Sequence, residues 1–88
     1  MTDSNPSGDQ PHPPGYGVIQ STADLGAIAR HHRKSRDITL ETLSGVANLN
    51  MRFLSEFERG KETAEIGKVI KALSTLGLEV VIRPRQSS

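Results

Sequence analysis

The segment from Ile38 to Lys61 contains two short helical patterns with a single tight turn between them. The first pattern starts at a capping threonine, Thr39, and its apolar residues recur at helical spacing as far as Ala47. Asn48 follows, and asparagine is the residue after glycine that best tolerates the left-handed conformation in which a chain reverses. Because so tight a turn forces the two helices together, this segment restricts the fold more than any other.

The second pattern is a helix with one buried side and one polar side. Asn50 is suited to cap it, Leu54 and Phe57 recur at i and i+3 toward a core, and Gly60 ends it. The outward-facing residues are Met51, Arg52, Ser55 and Glu56. This arrangement has the layout of a helix-turn-helix, a motif that places its second helix in the DNA major groove and uses the start of that helix for base contacts.

Two further helices flank this motif. The upstream helix spans residues 21–35 behind a cap at Ser21 or Thr22, and its apolar stripe is Leu25, Ile28, Ala29 and His32. The downstream helix opens at Thr63 and ends at Gly77, and its apolar residues are Ile66, Val69, Ile70, Leu73 and Leu76. The sequence therefore predicts a mainly all-α domain of four helices.

The residues after Gly77 predict a β-strand. Leu78, Val80 and Ile82 alternate with Glu79, Val81 and Arg83 before Pro84 closes the segment. A lone apolar strand needs a partner, and the simplest one is the same strand of a second copy. We therefore expect a symmetric homodimer with Leu78, Val80, Val81 and Ile82 in its interface.

The pattern I-T-x-E-x-L-S-x-x-A-N-L-N-x-x-x-L-S-x-F-E-R-G-K resembles the Xre and phage-repressor group of helix-turn-helix proteins. The usual form in that group is L-T-Q-E-E-L-A, then a glycine turn, then a helix that ends in E-N-G-K. Asn48 stands in place of the turn glycine, and Leu40 stands in place of a glutamine that commonly touches DNA. The segments F-L-S-E-F-E-R-G-K and G-L-E-V-V-I-R-P-R make the chain, over about residues 23–85, similar to HipB-type antitoxins.

This resemblance implies a lambda-repressor-like domain and a set of partners. HipB-type antitoxins repress their own operons as dimers and bind HipA-type kinase toxins. The implied partners are double-stranded DNA with a palindromic operator, a HipA-like Ser/Thr kinase toxin and a second copy of the chain. Two alternatives stay open: a stand-alone phage-repressor-like regulator without a toxin, and a protein-interaction module that uses the fold as a scaffold.

The resemblance also implies an ion pair. Arg33 occupies the position at which the family carries an arginine that pairs with a glutamate near the end of the recognition helix, here Glu58. If the pair is buried, loss of one partner costs roughly 3 to 5 kcal/mol. If both charges are solvated instead, the pair contributes less than about 1 kcal/mol.

The candidate base-reading residues match the family's base-contacting stretch: Asn50, Met51, Arg52, Phe53 and Glu56. Among these, Asn50 is either a helix cap, the favoured role, or a base reader. Arg52 can form bidentate hydrogen bonds with guanine, worth about 1 to 3 kcal/mol of discrimination, and Met51 can touch a thymine methyl group. Phe53 either touches a methyl group too or packs inward beside Phe57. Glu56 either accepts a hydrogen bond from cytosine or repels phosphate and orients Arg52.

The candidate phosphate contacts lie around these residues. Thr39 and Asn50 are helix caps that can also bond a phosphate, and Lys61 matches a family lysine beside the DNA backbone. A basic block at the end of the first helix consists of Arg30, Arg33, Lys34 and Arg36, and it is either a phosphate-binding or a solvated face. The formal net charge of +1 is by itself a weak argument for nucleic acid.

Composition divides the chain into four parts. The first twenty residues contain three glycines and the prolines Pro6, Pro11, Pro13 and Pro14, which predicts a disordered tail at 1–20. A helix-turn-helix domain at 21–77, a dimerisation strand at 78–85 and a flexible end at 86–88 complete the chain. A core of roughly 65 residues is marginal alone, which gives dimerisation a thermodynamic motive.

The sequence contains no motif for catalysis, metal binding or membrane insertion. His31 and His32 are adjacent, so on a helix they point about 100° apart and cannot form the i, i+4 pair of a zinc helix. No nucleophile has a base at a recognisable spacing, and there is no apolar run for a membrane span or signal peptide. The chain has no cysteine, which is compatible with the cytoplasm without requiring it. We expect a cytoplasmic protein, and the missing motifs predict no enzymatic activity, cofactor or metal.

Overall fold

The computed structural model describes residues 16–85, which form four α-helices. The helices are α1 (Thr22–Ser35), α2 (Leu40–Ala47), α3 (Met51–Glu58) and α4 (Ile66–Thr75). The predicted all-α domain of four helices is therefore confirmed. Residues 1–15 of the predicted tail and the predicted flexible end at 86–88 lie outside the described range.

Side chains close the N-termini of the first three helices. Ser21, Thr39 and Asn50 are the N-caps of α1, α2 and α3, and each side-chain oxygen accepts a hydrogen bond from a backbone N–H of the first turn. Each cap satisfies a donor that the helix itself leaves unpaired. These helix starts therefore lie where the capping residues in the sequence indicate.

The predicted start of α4 at Thr63 is wrong. The helix begins at Ile66, and Glu65 lies in an extended conformation at the N-cap without a side-chain capping bond. A turn precedes it, in which Ala64 N–H donates to Lys61 C=O at 3.4 Å, and Ala64 packs half-buried against the core. This turn changes the direction of the chain after α3. As a result, α4 packs against α2.

Helices α1, α3 and α4 end in the same way. The residue after each C-cap has a positive φ: Asp37 at 58°, Gly60 at 91° and Gly77 at 82°. The following residue donates its N–H back into the last turn, in the pairs Ile38 to Arg33, Lys61 to Glu56 and Leu78 to Leu73. These bonds define a Schellman motif, which satisfies carbonyls at the helix end and fixes the direction of the chain that leaves it.

One hydrophobic core joins the four helices. Helix α3 packs against α1 and α2, and α2 also packs against α4. The buried apolar residues are Ala29, Leu43, Ala47, Leu49, Leu54, Phe57, Val69, Ala72, Leu73 and Leu76. Because two helices lie behind α3, its axis is fixed while its outer face remains open to solvent.

Only part of the predicted apolar stripe of α4 is buried. Val69, Leu73 and Leu76 belong to the core, but Ile66 and Ile70 are 65% and 49% exposed. Helical periodicity identifies an apolar face but not the width that a neighbouring helix covers. Two large apolar side chains of α4 therefore remain at the surface of the single chain.

The predicted strand at 78–85 is absent from the single chain, whose described residues contain no β-strand. Leu78 packs half-buried against the core, whereas Val80, Val81 and Ile82 are 53%, 68% and 91% exposed. A strand is defined by hydrogen bonds to a neighbouring strand, and within residues 16–85 the chain provides no such neighbour. The pairing of this segment with a second copy therefore stays a prediction.

Candidate nucleic-acid interface

The first turn of α3 is held by its cap. Asn50 Oδ1 accepts hydrogen bonds from the backbone N–H of Arg52 at 2.7 Å and of Phe53 at 3.3 Å. The side chains that follow the cap on the outer face are open, with Met51 46% exposed and the Arg52 side chain 87% exposed. The start of α3 therefore presents one thioether and one guanidinium to solvent on a rigid backbone.

Thr39 caps α2 in a comparable way. Its hydroxyl oxygen accepts from Thr42 N–H at 3.0 Å, and the hydroxyl donates to Thr42 Oγ1, also at 3.0 Å. Thr39 is itself exposed. The structure thus places the predicted phosphate-binding residues Thr39 and Asn50 at two exposed helix N-termini, where backbone N–H groups favour an anion.

Phe53 lies against the protein rather than on the open face. Its ring is half-buried and stacks on Phe57, with the ring centroids 6.4 Å apart. Lys68 Nζ of α4 lies 5.8 Å from the centroid of the same ring. Of the two interpretations of Phe53, this placement supports packing, because the half-buried ring has both Phe57 and Lys68 as neighbours.

Glu56 brings two of the predicted DNA-binding cations together. Its Oε2 accepts from Arg52 Nε at 3.3 Å, and its Oε1 accepts from Lys61 Nζ at 3.0 Å. The pKa of the Glu56 carboxyl is lowered below its usual value, chiefly by the hydrogen bond from Lys61 and further by Arg52. Glu56 is therefore a carboxylate at neutral pH, flanked by a cation on each side.

The end of α3 determines where Lys61 lies. In the Schellman motif at Gly60, Lys61 N–H donates to Glu56 C=O at 3.1 Å, so the same residue holds both the backbone and the ammonium group of Lys61. A Cβ on Gly60 would lie 2.8 Å from Ala23 Cα. Glycine is thus required at position 60 for its positive φ and for the close approach of α1.

Behind the outer face, a buried ion pair joins α1 to α3. Arg33 Nε donates to Glu58 Oε2 at 2.7 Å and Arg33 Nη2 donates to Glu58 Oε1 at 2.9 Å, with side chains only 8% and 5% exposed. Arg33 Nη1 also donates to Ile38 C=O at 2.7 Å, and the hydrogen bonds to Glu58 raise the pKa of Arg33. Arg33 and Glu58, which the family resemblance predicts to pair, thus form a bidentate ion pair, and the pair is buried.

The basic block divides into two kinds of residue. Arg33 is buried in the ion pair, whereas Arg30, Lys34 and Arg36 are exposed. The geometry therefore removes Arg33 from any phosphate contact. The other three residues keep both of the interpretations that the sequence allows.

Two features of the structure were not predicted from the sequence: the close helix crossing at Gly26 and the hydrogen-bond partners of His32. Gly26 lies where α1 crosses the end of α3, and a Cβ there would overlap the carbonyl oxygen of Phe57 and lie 2.8 Å from that of Glu58. His32 is buried, with Nε2 2.8 Å from Leu76 C=O and Nδ1 2.6 Å from the Tyr16 hydroxyl. Because a carbonyl only accepts, Nε2 donates to Leu76 C=O, while Nδ1 lies within hydrogen-bond distance of the Tyr16 hydroxyl.

A glycine inside the helical stripe of α1 was the available signal for the close crossing at Gly26. Helical spacing placed His32 in the apolar stripe of α1, but no local signal indicated its partners Tyr16 and Leu76, which are distant in sequence. His32 links the segment before α1 to the end of α4, and it is therefore a packing residue.

The comparisons with known proteins agree with this geometry. Over 64 residues the chain is 44% identical to the uncharacterized HTH-type transcriptional regulator y4mF of Sinorhizobium fredii, an alignment that covers 73% of this chain and 84% of that protein. Among solved structures, HipB in its complex with the O4 20-mer matches with a TM-score of 0.75 and 18% identity, covering 81% of this chain and all of that one. The MDT protein has the same TM-score and identity. No family model matches the chain.

The four-helix fold and the capped, exposed recognition helix α3 define a helix-turn-helix regulator of transcription. The chain belongs to the HTH-type transcriptional regulators, and its fold is that of HipB. No helix within residues 16–85 has the length and apolar composition that crossing a membrane requires.

Proposed function

We propose that this protein is a transcriptional repressor that binds a palindromic operator as a homodimer, with α3 in the major groove. The observation that carries the proposal is the exposed start of α3, where Arg52 and Met51 project from a backbone held by the Asn50 cap. In helix-turn-helix proteins this part of the recognition helix contacts the bases.

Each exposed residue has a role in this proposal. Arg52 reads a guanine, and Met51 contacts a thymine methyl group. Thr39 and Asn50 bind phosphates at the N-termini of α2 and α3, and Lys61 binds a phosphate beyond the end of α3. The phosphate contacts hold the helix in the groove, and the two base contacts select the sequence.

The dimer is proposed from the C-terminal segment. Val80, Val81 and Ile82 are large apolar side chains that the single chain leaves exposed. Pairing of residues 78–85 with the same segment of a second copy would cover them and satisfy the unpaired backbone groups of an edge strand. A two-fold dimer in turn matches a palindromic operator with half-sites about one helical turn apart.

We further propose that the protein is the antitoxin of a HipA-like Ser/Thr kinase and that it represses its own operon. The proposed location of the protein is the cytoplasm. The HipB fold and the HipB-like terminal segment support this role. A stand-alone repressor without a toxin and a protein-interaction module are the competing functions. The exposed guanidinium of Arg52 favours DNA binding over the interaction module.

DNA binding is tested by gel shift and salt titration of the purified protein against the DNA upstream of its own gene, with random DNA of equal length as control. The expected result is a preference of about a thousandfold or more for its own upstream DNA. Weak, salt-sensitive and equal binding to both DNAs would contradict the proposed repressor and favour the interaction module.

The antitoxin role is tested separately. The genes beside this one are searched for a HipA-like kinase, and the two proteins are co-expressed and purified together. A stable complex in which the kinase is inactive is the expected result. Operator binding without a kinase neighbour, or with a kinase that neither binds nor loses activity, would support the stand-alone repressor.

A further inference from the structure

Glu56 contacts both Arg52 and Lys61, the two cations that bind DNA in the proposed function. The inference drawn from these contacts rests on that proposed function. Arg52 bonds one carboxylate oxygen of Glu56 and Lys61 bonds the other, at 3.3 and 3.0 Å. A carboxylate on the face that meets DNA is unfavourable for every DNA sequence, because it repels phosphate. A benefit that offsets this repulsion has to come from the effect of Glu56 on Arg52 and Lys61.

The atoms involved indicate such a role. Arg52 uses Nε for Glu56, and within residues 16–85 its terminal nitrogens Nη1 and Nη2 make no hydrogen bond with the protein. A guanine offers O6 and N7 side by side, and an arginine can approach this edge with two nitrogens at once. With Nε held by Glu56, the terminal pair remains available for that contact.

The burial of the three side chains fits the same role. The side chain of Glu56 is 28% exposed, that of Lys61 50% and that of Arg52 87%. The carboxylate is thus the more enclosed member, supported on one side by Lys61, and the guanidinium is the more exposed one. Holding an exposed arginine in one orientation before binding reduces the entropy that it loses on binding.

We propose that Glu56 is a specificity-determining positioning residue, which holds Arg52 for guanine and disfavours all DNA that offers Arg52 no guanine. On the operator, Arg52 contacts the base while Glu56 supports it from behind. On other sequences the repulsion between Glu56 and phosphate remains without this compensating contact. Glu56 therefore raises the ratio of specific to non-specific affinity without touching a base.

The test compares Glu56→Gln with Glu65→Gln. Glutamine removes the charge of Glu56 but keeps its shape. The control removes the same charge from the exposed pair between Glu65 and Lys68 at the start of α4, where the atoms are 3.4 Å apart. Dissociation constants are measured on the upstream DNA and on random DNA at several salt concentrations, and circular dichroism verifies that both variants fold.

For Glu56→Gln we expect affinity for random DNA to rise several-fold and the specificity ratio to fall about tenfold or more. For Glu65→Gln we expect the ratio to stay at the wild-type value. A Glu56→Gln variant with an unchanged ratio, or with a ratio that falls no further than in Glu65→Gln, would overturn the inference.

A second pair of variants separates positioning from direct reading of cytosine. In an Arg52→Ala background, Glu56→Gln should no longer lower the ratio, since Glu56 then has no arginine to hold. A loss of the same size in that background would mean that Glu56 reads a base itself, and would overturn the positioning role. A wild-type protein without any preference for its upstream DNA would instead overturn the proposed function, and this inference with it.

Discussion

Arg33 and Glu58 hold α1 against the recognition helix through two hydrogen bonds, of 2.7 and 2.9 Å, and both side chains are almost fully buried. A buried ion pair recovers its desolvation cost only while both charges are present. Removing one partner leaves the other charge without compensation in the interior. The pair is therefore a strong constraint on the position of α3, whatever its net contribution relative to an apolar pair.

We expect Glu58→Ala to lower the free energy of unfolding by roughly 3 to 5 kcal/mol, measured by urea denaturation. The exposed Glu65→Ala serves as control and should cost less than about 1 kcal/mol. The double variant Arg33→Met, Glu58→Leu should be more stable than Glu58→Ala, because no charge is stranded. A cost for Glu58→Ala as small as that of the control would contradict the constraint.

Arg52 and Lys61 should differ in what their loss does to DNA binding. Arg52→Ala should weaken binding to the operator far more than binding to random DNA, because a base contact carries sequence information. Lys61→Ala should weaken binding to both DNAs about equally and reduce the salt slope by about one. Equal losses on both DNAs for Arg52→Ala, in the same gel-shift series, would rule out its role as a base reader.

At the scale of helices, two glycines with the same local structure have opposite roles. Gly26 of α1 is pressed against the carbonyl oxygens at the end of α3, whereas a Cβ on Gly45 of α2 would meet nothing within 4 Å. A helical glycine normally destabilises its helix relative to alanine. Only the crossing of α1 and α3 makes glycine the better residue at position 26.

We therefore expect Gly26→Ala to destabilise the fold by about 1 to 3 kcal/mol through overpacking. Gly45→Ala should stabilise it by up to about 1 kcal/mol through helix propensity. Thermal and urea unfolding of the two variants give the comparison. A stabilised Gly26→Ala variant would show that α1 does not approach α3 as closely as described.

At the scale of the whole molecule, two groups of exposed apolar residues are candidates for the interface of the proposed dimer. One is the C-terminal segment with Val80, Val81 and Ile82, and the other is the face of α4 with Ile66 and Ile70. The proposed pairing with the same segment of a second copy would cover the first group. The face of α4 gives an alternative surface on which two copies can meet.

The double variant Val80→Lys, Ile82→Lys should be monomeric in analytical ultracentrifugation. It should also bind the operator far more weakly, because a monomer contacts one half-site where a dimer contacts two. Lysine makes the test strict, since added positive charge alone strengthens DNA binding. The control Val46→Lys changes an equally open valine of α2, 72% exposed. A double variant that stays dimeric would refute the strand interface.

What could be predicted from the sequence follows from the range of the interactions involved. The caps Ser21, Thr39 and Asn50 bond to N–H groups within three residues, and the ends at Gly60 and Gly77 depend on one backbone angle each. Because these caps and helix ends depend only on residues close in sequence, they can be predicted from the sequence. The start of α4 was misplaced because the preceding turn is held by the packing of Ala64 on the core.

By itself, the sequence determined the four helices, their order and the outward face of α3, because periodicity and capping act within one or two helical turns. Tertiary structure alone decided that Gly26 must be a glycine, that His32 forms hydrogen bonds with Tyr16 and Leu76, and that Ile66 and Ile70 stay exposed. These outcomes depend on which surfaces of distant segments meet and on how much of each surface is covered. No local pattern contains that information.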